Sequence, residues 1–188
     1  GMAIQQYQWR LVSQPPDSTV ALLDTASVTP EFWMDVAGDY VFELTVQNTA
    51  GNWDSTPDTM IINAIPSDDF YVQLSWDAPG DLDLHLVVNG SDLFSYDDCN
   101  YCNMSPNWGS TGGQDNPSLD IDDIPSAGDS APIFGPETIT IEQPAPAGYD
   151  VKVHYYGQGG AASCAGGCPN ANATIRLFVA GTEIQSRT

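Results

Sequence analysis

From Gly38 onward the chain alternates strictly: Tyr40, Phe42, Leu44 and Val46 fall on one parity, Val41, Glu43, Thr45 and Gln47 on the other. Side chains that repeat every second residue belong to a strand with one buried face. Strands are likewise expected at Tyr7–Val12, Thr59–Ala64, Phe70–Trp76, Leu82–Val88, Leu93–Tyr96, Thr138–Ile141, Tyr149–Tyr156, Ala173–Val179 and Thr182–Ile184. Nothing sustains the period of about 3.6 residues that a long helix needs, so none is expected. Seventeen Gly and fourteen Pro suit a loop-rich all-β protein. Ile65-Pro66-Ser67-Asp68-Asp69 breaks the pattern and sets the expected domains at 1–65 and 69–188.

Ten of the twenty-five carboxylates lie between Asp77 and Asp123, a stretch without Lys or Arg. The whole chain has only Arg10, Lys152, Arg176 and Arg187 as cations, for a formal charge of −21. Such a balance excludes nucleic acid, whose phosphates need basic side chains, and argues against anionic lipid. The 41% hydrophobic content and five Trp argue for packed structure rather than disorder. No apolar run approaches the roughly 20 residues that span a bilayer. No signal peptide is visible; Gly1-Met2 reads as a cloning remnant, with the targeting segment removed beforehand.

Crowded carboxylates repel one another unless water spreads them or a cation neutralises them. Calcium takes hard oxygen ligands, about 6–8 of them. On the strand from Asp81, Leu82, Leu84 and Leu86 share the face expected to meet the core, leaving Asp81, Asp83 and His85 outside. Carboxylates two residues apart can converge on one ion. Asp120 and Asp122, with Asp123 adjoining, repeat the spacing, and Asp97, Asp98 and Glu137 are further candidate ligands. The bland alternative is a solvated face, with Asp as a turn former.

Cys99/Cys102 and Cys164/Cys168 form two tight pairs. They allow a zinc site or two disulfides, and local disulfides in an oxidising compartment are the favoured reading. His85 and His154 lack a G-x-S-x-G elbow or another nucleophile signature, so they read as surface histidines beside carboxylates. A zinc site using both and an Asp is the sharper alternative. Paired carboxylates could also serve a glycosidase, but a small sandwich offers little cleft, and no enzyme is expected. Tyr96, Tyr101, Trp108, Tyr155 and Tyr156 could stack on sugar rings; for Trp108 a loop anchor is the simpler role.

Two resemblances add to this. Tyr7-x-Trp9, Phe32, Asp35-x-Ala37-Gly38-x-Tyr40-x-Phe42-x-Leu44-x-Val46 and Gly51 resemble the second half of a PKD-type immunoglobulin-like domain. That likeness implies a partial sandwich whose front strands are missing, with the tyrosine bracing a corner. Trp76-Asp77, Asp81-Leu82-Asp83-Leu84-His85, Asp120-x-Asp122, Gly135-Pro136-Glu137 and Gly148-Tyr149-x-Val151-x-Val153-His154-Tyr155-Tyr156 resemble the bacterial extracellular DUF2135, or YfaP-like, family, and more distantly pre-peptidase C-terminal domains. The second likeness implies a jelly-roll-like sandwich in a secreted or cell-surface protein, with Asp81, Asp83, Asp120, Asp122 and Glu137 on recurrent acidic positions. The combined expectation is a non-catalytic calcium-binding module serving adhesion or the recognition of a protein or glycan. The competing expectation is a carbohydrate-binding accessory of a secreted hydrolase.

Overall fold

A computed structural model of the chain describes residues 2–16, 18–78, 80–109, 111–123, 135–157 and 170–188. Among these the fold is all-β, with ten strands and no helix. The chain divides into two compact units, Gly1–Ile65 and Pro66–Thr188.

The first unit is a three-stranded antiparallel sheet in the order β1 (Ile4–Ser13), β2 (Gly38–Asn48), β3 (Asp58–Ala64). Tyr40 and Phe42, on the apolar parity of β2, are buried. Phe32 meets both edge to face, at 5.3 and 5.1 Å. The Tyr40 hydroxyl accepts the Val36 N–H at 3.0 Å and lies 2.9 Å from Asp35 Oδ1, which closes the corner before β2. Trp9 is half-buried, and its indole donates to the Ser27 carbonyl at 3.0 Å.

The second unit layers a five-stranded sheet against a two-stranded one. The larger sheet runs β10 (Thr182–Arg187), β9 (Ala173–Val179), β4 (Phe70–Trp76), β7 (Glu137–Ile141), β6 (Pro117–Ile121). The smaller pairs β5 (Asp81–Val88) with β8 (Tyr149–Gly157). Phe70, Val72, Leu74 and Trp76 of β4 and Ile139 and Ile141 of β7 pack against Leu82, Leu84 and Leu86 of β5. Each fully buried Leu contributes about 1.5–3 kcal/mol.

Two strand assignments change. Leu93–Tyr96 is a series of turns, not a strand. Phe94 sits at φ 58°, a left-handed value that no strand adopts. The Asp98 carboxylate takes the Phe94 N–H at 2.6 Å, giving that backbone donor a local partner in place of a ladder. Conversely, Pro117–Ile121 is a strand that the pattern above did not single out. It lies at the sheet edge and begins with Pro, where a missing donor costs nothing.

Candidate metal centre

The leucine parity of β5 faces the core, but the opposite parity is not solvated. Asp81, Asp83 and His85 are 8%, 4% and 0% exposed. The expected outer face is covered by the turns after β5. Phe94 lies edge-on to His85 at 4.9 Å, and Cys99 forms a two-way backbone bridge with Leu86 on the β5 edge away from β8. On the other edge β8 aligns His154 with Asp83 and Lys152 with His85. Opposed residues on neighbouring strands share a face, so His154 stands beside Asp83. His154 Nδ1 is 3.0 Å from Asp83 Oδ2. The two histidines are thus not both superficial: His85 is sealed and His154 half-covered.

Five carboxylates converge near the start of β5. Asp81 and Asp83 come from β5, Asp122 and Asp123 from the segment after β6, and Glu137 opens β7. Glu137 is 1% exposed. Its Oε2 accepts the Leu84 N–H at 2.6 Å, whereas buried Oε1 has no donor among the described residues. Asp122 lies against Glu137, and two charged carboxyls so close would repel, so one of the pair carries a proton or a cation must separate them. Burial pushes the Glu137 carboxyl up to about 9; the Leu84 N–H opposes the rise, and the charges of Asp122, Asp83 and Asp81 add to it. Asp81 is pushed up to about 6, first by burial and then by Asp83, Asp122 and Asp123. Asp122 is raised by burial and by Asp83. Asp123 Oδ2 accepts the Gly135 N–H at 3.0 Å, tying the turn that delivers Glu137.

The remaining candidates are placed elsewhere. A bulge in β6 sets Leu119 opposite Ile139 but Ile121 opposite Thr138, so Asp120 is the extra residue. It is exposed and accepts the Thr140 hydroxyl at 2.7 Å, whereas Asp122 is half-buried beside Asp83 and Glu137. Asp98 is fully buried, with Oδ2 2.8 Å from His85 Nδ1. Asp97 contributes its carbonyl, which accepts the Trp108 indole N–H at 2.9 Å. Trp108 also stacks on Tyr149 at 5.3 Å and packs against the core, which makes it an anchor of the loop. Tyr101 is half-buried, edge-on to Tyr156 at 5.4 Å.

The local disulfide expected for Cys99 and Cys102 is not formed; both are free thiols. Cys99 is held in the core by its bridge to Leu86, with Sγ 3.4 Å from the Met104 carbonyl, while Cys102 sits on the exposed side of the following turn. Cys164 and Cys168 lie outside the described residues.

The positioning role of Asp98 toward His85 was not read from the sequence, where it counted as a metal ligand. Its signal was the pairing of an Asp-rich turn with a histidine on the preceding strand. Comparison of the chain with protein-family models, curated proteins and solved structures found no match.

Proposed function

We propose that the second unit is a non-catalytic calcium-binding module of a secreted or cell-surface protein, serving adhesion or recognition of a protein or glycan. One observation carries the calcium reading: buried Glu137 Oε1 without a donor, among Asp81, Asp83 and Asp122. A deprotonated carboxylate there needs a cation, and oxygen-only ligands favour calcium. The non-catalytic reading is supported by the histidine partners. Among the described residues neither imidazole is hydrogen-bonded to a hydroxyl or thiol; both contact carboxylates.

Melting curves with millimolar calcium and with EDTA test this. An ion at about 100 times its Kd adds about 2.7 kcal/mol, worth roughly 5–10 °C for a chain of this size. Glu137→Gln and Asp122→Asn should lose that gain. Superimposed curves for the unsubstituted protein would refute the proposal.

A carbohydrate-binding reading draws on different residues. Phe94, Tyr96 and Tyr156 are 50%, 77% and 59% exposed, unlike the anchored Trp108. Glycan arrays probed with the protein and with Tyr156→Ala, each with and without EDTA, distinguish calcium-dependent from aromatic-driven binding.

A further inference from the structure

We propose that Asp83, His85 and His154 form a separate site for a zinc-class divalent ion, with Asp98 positioning His85. One donor atom from each of the three lies within 4.8 Å of the others. His154 Nδ1 and Asp83 Oδ2, at 3.0 Å, are already near the ligand spacing of a tetrahedral ion. Zinc–ligand bonds of about 2.0–2.1 Å place neighbouring ligands about 3.3 Å apart. An ion seated between these two would replace the proton they share, the imidazole keeping its neutrality by switching tautomer.

His85 supplies the observation that the calcium reading leaves unused. Its Nδ1 is engaged by Asp98 Oδ2 at 2.8 Å. Asp98 is held in turn by the Phe94 N–H at 2.6 Å. A carboxylate that fixes one ring nitrogen leaves the other as a lone-pair donor, the arrangement that orients metal-bound histidines. That other nitrogen, Nε2, is buried and has no hydrogen-bond partner among the described residues. An unpartnered buried polar atom costs about 1–3 kcal/mol, a cost that coordination removes.

The donor set points to the class of ion. Two imidazoles and one carboxylate suit zinc or its transition-metal neighbours, whereas calcium prefers oxygen throughout. Phe94 and Tyr156 stand edge-on to His154 at 5.4 and 6.4 Å and form an aromatic collar around it. The partial exposure of His154 leaves a route for the ion and a fourth position for water. The proposal stands apart from the calcium reading, with Asp83 the one residue common to both.

The test uses the full chain, stripped with EDTA and dialysed. Zinc is titrated calorimetrically in a calcium-containing buffer, and cobalt(II) then serves as the visible probe. The expected result is about one zinc ion per chain and cobalt d–d bands without thiolate charge transfer. His154→Ala should abolish zinc binding while keeping the calcium-dependent rise in Tm, which also shows that the variant folds. Asp98→Asn should weaken zinc about 10–100-fold, and His85→Gln should abolish binding. Three results would overturn the site: no zinc bound by the unsubstituted protein, affinity unchanged in His154→Ala, or a thiolate band assigning the metal to cysteine. Zinc binding in a protein that ignores calcium would refute only the calcium reading.

Discussion

Glu137 carries a saturated oxygen and an unsaturated one on the same buried carboxyl, and its ionisation can be followed. Its folded-state value is raised from 4.5 to about 9. The folded protein therefore holds a proton that the unfolded chain has released, and stability falls as pH rises between those values. In EDTA, Tm should decline from about pH 5 to about pH 9, with Asp81 adding to the early part of the fall. If calcium takes the place of the proton, as proposed, it should flatten that slope, and Glu137→Gln should flatten it without calcium. The same substitution should stabilise the ion-free protein by about 1–3 kcal/mol. Melting curves across pH in both buffers read these effects. A second contrast lies between the thiols. Burial, then Asp98 and Asp120, pushes Cys99 up to about 12, and Cys102 is exposed. In a Cys164→Ser/Cys168→Ser background, Ellman's reagent should titrate Cys102 in the native state and Cys99 only on unfolding. The acidic identity of the site was legible in the sequence because alternation places Asp81 and Asp83 together. The burial of His85 on the same parity was not, because Phe94 and Asp98, which meet it, arrive on turns that carry no period.

At the scale of elements, strand β5 is held on its two edges by different means. One edge pairs with β8; the other meets the Glu137 carboxyl at Leu84 and the Cys99 backbone at Leu86. The turn before β7 must therefore be placed accurately. Gly135 has φ +82°, and a Cβ there would lie 2.8 Å from the Trp76 ring. Gly135→Ala should cost about 1–3 kcal/mol by overpacking and weaken the calcium response, since Glu137 follows two residues later. Denaturant melts and calcium titration of the variant measure both. Strands such as β2, β4 and β8 were legible because their apolar parity is unbroken. The bulge at Asp120 was not, since an extra residue in a ladder leaves composition unchanged while shifting every later side chain. Asp120 and Asp122 read as one set in the sequence, yet Asp120 is exposed against Thr140 and Asp122 lies beside Asp83 and Glu137.

For the whole molecule, all proposed ligands fall in the second unit, so residues 66–188 made alone should keep the calcium and zinc responses of the full chain. Calorimetry on the two proteins compares them directly. The net charge of −21 acts over both units. Raising ionic strength from about 0.01 to 0.15 M shortens the screening length from about 30 to 8 Å. The Tm in EDTA should rise with it, as self-repulsion is damped. Glu137 belongs to the five-stranded layer yet grips the backbone of the two-stranded one through a single acceptor atom. A load pulling those layers past each other would be borne at that seam. If the proposed ion is riveted to the neighbouring oxygen, the joint should resist shear and slacken where the ion is scarce, so that the stiffness of the module would follow the surrounding fluid.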